Sequence, residues 1–195
     1  MTRAGELLQR FRRDRSAIAA VEFALVLPFL MTMWLGMEQF SEYMTADAKT
    51  LMAAQSVSDL IAQIAPAQTN AYPDIANAAT QIFAPLPTSG TLTVDVVGVA
   101  YDNSNNPTMT GGWECPSSGS STGPAPDSPV PMNLAAGLGS QGQMTIMVNI
   151  KYNFNPAMTF NFLGPAIVAA LGTQIISERA FSRPRLSALL AKPCT

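Results

Sequence analysis

The sequence predicts an α+β chain in which a long N-terminal helix, membrane-spanning at first and amphipathic after that, packs with a small antiparallel β-sheet. Three observations lead there. A cluster of arginines runs directly into a 20-residue apolar stretch, apolar residues then recur at helical spacing as far as Pro66, and beyond residue 90 β-branched segments alternate with stretches rich in Asn, Pro, Ser and Gly.

Residues 1–17 form a basic leader: Arg3, Arg10, Arg12, Arg13 and Arg15 are five of the eight arginines in the chain. Ile18 to Met37 follows, apolar except for Glu22. As a helix at about 1.5 Å per residue it reaches roughly 30 Å, the thickness of a bilayer's hydrocarbon core. The arginines belong on the cytoplasmic side by the positive-inside bias, which places the rest of the chain in the periplasm or outside the cell. The stretch exceeds the apolar core of a cleaved secretory signal, about 7 to 15 residues, and the nearest small-x-small site, Ala46-Asp47-Ala48, lies well downstream.

Residues 38–66 continue the helix, because Thr50, Ala53, Ala54, Val57, Leu60, Ile61 and Ile64 recur three and four residues apart. One helix from Ile18 to Ala65 is expected, with Pro28 and Gly36 as bending points. The head, residues 67–195, opens with a second helix over Ile75 to Phe83, bounded by Pro73 and Pro85. Thr91–Tyr101, Gln143–Phe154 and Thr173–Ser182 read as three strands, paired antiparallel. Residues 102–140 read as one long loop, within which Trp113-Glu-Cys115 marks a short strand or an anchored turn with a buried indole. Phe160 to Leu171 is apolar but too short to cross a bilayer, and is expected either to cover the sheet or to dock on a partner or a membrane surface.

Composition limits the chemistry. Hydrophobic residues make up 48% of the 195 and charged residues 12%, about half the roughly 25% usual in soluble domains. With residues 1–17 set aside, Lys+Arg falls from 11 to 6 and Asp+Glu from 13 to 11, leaving −5. An acidic remainder argues against nucleic acid as a partner. The absence of histidine removes the commonest general base and metal ligand. Lys49, Lys151 and Lys192 are the only lysines for Ser/Lys chemistry, and no paired carboxylates or phosphate loop stand out. Asp102-Asn-Ser-Asn-Asn106 has part of the spacing of a calcium loop and of a D-x-S-x-S metal motif, but satisfies neither and reads as a hydrophilic turn. The expectation is therefore a non-enzyme with no metal and no cofactor. Cys115 and Cys194, in no C-x-x-C spacing, read as a disulfide if the compartment is oxidising and as two unpaired thiols otherwise.

Arg12-Arg-Asp-Arg-Ser-Ala17, followed by Ile18-Ala-Ala-Val-Glu22-Phe23-Ala-Leu-Val-Leu-Pro-Phe-Leu30, resembles the N-terminus of TadE/TadG-like pseudopilins, minor proteins of the tight-adherence (Tad/Flp) pilus system. In that family a small residue precedes the processing site, four apolar residues follow it, and a glutamate with an aromatic neighbour comes next; Ala17, Ile18, Glu22 and Phe23 occupy those places. Ala17 stands where glycine is most typical and Phe23 where tyrosine often stands. The resemblance implies a pilin-like fold, cleavage between Ala17 and Ile18 by a prepilin peptidase, and pairing of Glu22 with the free amino terminus of a neighbouring subunit. It also implies other pilin-like subunits, Tad assembly proteins and the bacterial inner membrane as partners. Glu178-Arg-Ala-Phe-Ser-Arg183-Pro184-Arg185-Leu is similar to the C-terminal strand of the same family. The alternative is an uncleaved, signal-anchored envelope scaffold or binding protein unrelated to pili.

Overall fold

The computed structural model describes residues 16–65, 71–88, 91–115, 130–155 and 173–194. The chain divides into two units, Met1–Glu42 and Tyr43–Thr195. Helix α1 (Ser16–Ala62) contributes to both.

In the first unit α1 is exposed at every position from Ile18 to Leu30. Leu25 is 75% exposed and Phe29 69%, so no described residue covers these apolar side chains. Pro28 lies inside the helix, where its missing N–H leaves the carbonyl of Ala24 without the usual donor. Thr32 turns its hydroxyl back to the Phe29 carbonyl at 2.8 Å, so the polar side chain is satisfied by its own helix.

In the second unit α1 buries a narrow row of small residues: Ala46, Thr50, Ala53, Ala54, Val57, Ser58, Ile61 and Ala62. The intervals of three and four put them on one face. Thr50 is fully buried and donates its hydroxyl to the Ala46 carbonyl at 2.7 Å. The helix ends at Ala62, three residues short of the sequence expectation, in two 3-10 type bonds from Gln63 and Ile64 back to Leu60 and Ile61. The Ala62 carbonyl receives its donor from the Arg185 N–H at 2.8 Å. Pro66 has no N–H to offer the carbonyl four residues before it, so the cap is supplied from a distant segment.

Helix α2 (Tyr72–Phe83) begins earlier than predicted, with Pro73 in its first turn, where a missing N–H costs nothing, and Asp74 facing the positive end of the helix dipole. Tyr72, Ile75, Ala79 and Phe83 form its buried face. At its other end the Lys49 amine donates to the carbonyls of Ile82, at 3.0 Å, and Ala84. A cation there suits the negative end of the dipole.

Four strands, β1 (Leu92–Tyr101), β2 (Pro107–Cys115), β3 (Met144–Phe154) and β4 (Gln174–Ser182), form one antiparallel sheet in the order β2-β1-β3-β4. β1 is buried along its whole length. Period-two alternation divides the sheet into two faces. Leu92, Val94, Val96, Ile146, Val148, Ile150, Tyr152 and Ile176 join the buried faces of α1 and α2 in the main core. Phe83 stacks on Tyr152 with ring centroids 5.0 Å apart, and Tyr43 meets Phe154 edge-on at 5.6 Å. Val97, Val99 and Met147 form a smaller cluster on the other face with Ala135, which belongs to a 3-10 turn over Met132–Ala135.

Strand β2 lies where the sequence suggested loop. Pro-Thr-Met-Thr-Gly-Gly-Trp-Glu-Cys lacks a β-branched pattern, but an edge strand tolerates Pro and Gly because only one side must pair. Residues 102–106 make the hairpin turn: Asn105 has φ 60°, the Asp102 N–H bonds the Asn106 carbonyl at 3.0 Å, and Tyr101 pairs with Pro107 directly after. A bulge at Gly111 and Gly112 shifts the register opposite Gly98–Ala100, with Gly111 at φ +83°. The rest of the predicted loop, 116–129, and the apolar connection 160–171 lie outside the described residues.

Phe83 is fully buried in the main core, so Phe83→Ala should destabilise the head by roughly 3–5 kcal/mol. Denaturant unfolding of the detergent-solubilised full chain should show the lowered midpoint by near-ultraviolet circular dichroism, with helical signal of the first unit retained in the far ultraviolet.

Candidate functional site

Two groups of residues were singled out by the sequence: the N-terminal set Ala17, Ile18, Glu22 and Phe23, and the cysteine pair. The structure places all four residues of the first set on the helical backbone of α1, the Ala17–Ile18 peptide included. Ile18 and Glu22 are four residues apart and share a face. Ile18 is 59% exposed, Phe23 61%, and Glu22 is exposed as well.

The stretch that carries them is long and apolar enough to cross a membrane, a property that an anchor and a signal sequence share. Its energetics can be bounded. Ile18, Val21, Phe23, Leu25, Val26, Leu27, Phe29, Leu30 and Leu35 each favour insertion by roughly 0.3–0.6 kcal/mol, about 3–5 kcal/mol together. A carboxylate at the helix centre costs roughly 2.5–3.5 kcal/mol, and less near an end, where Glu22 lies. The segment therefore tolerates Glu22 but gains nothing from it within a single chain.

The second group is brought together by tertiary structure. Cys115, at the end of β2, and Cys194 are joined in a disulfide with Cα atoms 5.8 Å apart and 79 positions of sequence between them. Constraining a loop of that length in the unfolded chain favours the native state by about 4–5 kcal/mol on a chain-entropy estimate. Two positions before Cys115, the Trp113 indole crosses Gly98; a Cβ there would lie 2.4 Å from the ring. The indole N–H donates to the Leu190 carbonyl at 2.8 Å, within a buried site. Gly98 thus makes room for Trp113, and Trp113 holds the C-terminal segment that brings Cys194 to Cys115.

Sequence reasoning missed several partners in this assembly. Arg185 pairs with Asp59 at 2.5 Å while its N–H caps α1; with both side chains 59% exposed, the ion pair is worth little, about 0–1 kcal/mol. The Tyr72 N–H donates to the Pro193 carbonyl at 3.2 Å. The Tyr72 hydroxyl donates to the Val94 carbonyl at 2.6 Å, and burial, followed by the charge of Asp95, pushes its ionisation well above the ordinary tyrosine value. Residue spacing signals none of these pairings, which join positions 22 to 126 apart.

Asp102, considered above for cation binding, closes the β1–β2 turn instead. Its Oδ1 accepts the backbone N–H groups of Ser104 and Asn106, each at 2.8 Å. Across this end of the sheet, Asn105 accepts the Gln141 N–H at 2.8 Å. Among the described residues no cluster of acidic or cysteine side chains has the arrangement of a metal site.

No family model matches the chain, and no curated protein or solved structure is significantly similar to it.

The Asn106 N–H, against the opposing effect of desolvation and helped by the Ser104 N–H and the Asn106 side chain, holds the Asp102 carboxyl below its ordinary value of 3.8. A depressed carboxylate adds stability above its unfolded value and loses it as pH falls through its folded value. NMR titration of the Asp102 carboxyl carbon should accordingly give a midpoint below 3.8, and Asp102→Asn should abolish that transition.

Proposed function

We propose that this chain is a minor pilin-like subunit of a Tad-type pilus or secretion apparatus. It is held in the bacterial inner membrane by α1, with the leader cytoplasmic and the α+β head on the outer side, and it is processed between Ala17 and Ile18 by a prepilin peptidase. The observation that carries this reading is one continuous helix with two different faces to satisfy. Its first part is apolar, exposed and interrupted by Glu22, while from Tyr43 onward its small-residue row belongs to the core of a compact head. An exposed apolar helix with one carboxylate calls for a lipid environment and for a cation that the chain's own span does not provide. The new amino terminus of a cleaved neighbour supplies such a cation. In a low-dielectric setting that pairing is strong, and removing one partner costs roughly 3–5 kcal/mol.

The role is structural. Glu22 fixes the axial register between neighbouring helices, the apolar residues around it provide the packing, and the head is displayed to other pilin-like subunits and to assembly proteins. A second reading, an uncleaved signal-anchored envelope scaffold, draws support from the helical backbone at Ala17 and Ile18, because a peptide bond within a helix is a poor protease substrate.

Intact-mass measurement of the protein from native membranes should give a chain starting at Ile18 when the prepilin peptidase is active, and one retaining residues 1–17 when it is not. An intact leader in both strains would replace the first reading by the second. In a Glu22→Ala strain the protein should remain membrane-bound while its recovery in assembled complexes falls about a hundredfold or more, as loss of roughly 3 kcal/mol requires; unchanged recovery would remove the assembly role of Glu22.

A further inference from the structure

Residues 183–194 leave β4 and pass by three elements that are remote in sequence. Arg185 caps α1 through the Ala62 carbonyl, the Trp113 indole on β2 holds the Leu190 carbonyl, and the first residue of α2, Tyr72, holds the Pro193 carbonyl. Arg185 adds an exposed ion pair with Asp59, Arg183 donates to the Leu138 carbonyl, and Leu190 is buried in the main core; none of these holds is covalent. The one covalent attachment is the bond from Cys194 to Cys115, and its two ends differ. Cys115 is fully buried in the main core, whereas Cys194 is partly exposed and only borders it. An incoming thiolate must approach a sulfur in line with the bond it breaks, so the end accessible to solvent is the one attacked.

We propose that the Cys115–Cys194 disulfide is a redox latch on this C-terminal strap, opened and closed by a dithiol protein that reacts at the Cys194 sulfur. The inference rests on the reading above only in placing the head in an oxidising compartment. In the opening direction a thiolate of the reduced dithiol attacks Cys194 Sγ; the bond between the cysteines breaks, and Cys115 leaves as a thiolate and takes up a proton. The second thiolate of the dithiol then attacks its own half of the mixed disulfide and releases Cys194, which is protonated in turn. Two electrons and two protons pass to the protein, and the dithiol becomes a disulfide. Closing is the reverse, with the oxidised dithiol as electron acceptor.

The strap takes no part in the sheet. The pairings β1–β3 and β3–β4 involve no residue of 183–194, while Leu190 packs into the main core with Val96, Val148 and Ile150. Opening therefore releases the covalent hold at Cys194 and loosens the strap over Trp113 without breaking a strand pairing.

The test uses the purified full-length protein in detergent micelles, treated with dithiothreitol at neutral pH without denaturant, pulse-alkylated and mapped by peptide mass spectrometry. Cys194 should be alkylated at least about tenfold faster than Cys115, with increased hydrogen exchange confined to the strap and reversed by an oxidised dithiol. Equal alkylation of the two cysteines, or a bond that resists reduction until the sheet itself exchanges, would overturn the proposal. Trp113→Phe removes one hydrogen bond and keeps the disulfide: strap exchange should stay slow before reduction and become faster than wild type after it. If oxidised Trp113→Phe already exchanged like the reduced wild type, the hydrogen bond and not the disulfide would hold the strap, and the latch would be excluded. None of these readouts depends on leader cleavage or pilus assembly, so either proposal can fail alone.

Discussion

The head depends on a core that α1 closes with small side chains and that α2 and the sheet fill with large ones. Between Tyr43 and Ala62 half of the buried row is alanine, with Thr50, Val57, Ser58 and Ile61 between. Side chains this small bring little apolar area each, so most of the core volume must come from the elements opposite. The large side chains that fill the remaining space, Phe83, Tyr152, Ile146 and Ile150, come from α2 and the sheet. A larger residue in the alanine row would separate those layers, and the direct bond from the Ser182 hydroxyl to the Ser58 carbonyl, 2.9 Å, would be lost with them.

A folded head also leaves backbone carbonyls outside regular structure, and each needs a donor. Here the donors come from far along the chain: Lys49 for the end of α2, the Arg185 N–H for the end of α1, and the Trp113 indole for the buried Leu190 carbonyl. These bonds are modest individually, but leaving such a group unsatisfied would cost about 1–3 kcal/mol. They explain why a C-terminal segment with little regular structure of its own follows a defined path, and why Cys194 arrives beside Cys115.

The first unit follows different rules. Its apolar side chains from Ile18 to Leu30 are exposed, and Glu22 is the one carboxylate among them. Along the same helix bulky Leu, Phe and Met give way to the small buried Ala and Thr of the second unit. On the proposed reading, lateral association of the first part would proceed while the head remains folded.

The sequence by itself determined what depends on local pattern. Three- and four-residue spacing gave the second part of α1, bounding prolines gave α2, β-branched alternation gave β1, β3 and β4 to within a residue, and the arginines, apolar stretch and Glu22 marked the candidate membrane and processing segment. Tertiary structure alone decided what depends on partners far apart in the chain. β2 extends back to Pro107 because β1 offers it an edge and Asn105 turns the chain, although apart from Trp113–Cys115 its residues read as loop; the Ala62 carbonyl at the end of α1 finds its donor in Arg185; and Gly98 is small because Trp113 lies across it. Local propensity is written in neighbouring residues, whereas a cap, an edge pairing or a space for an indole is defined only when distant segments meet.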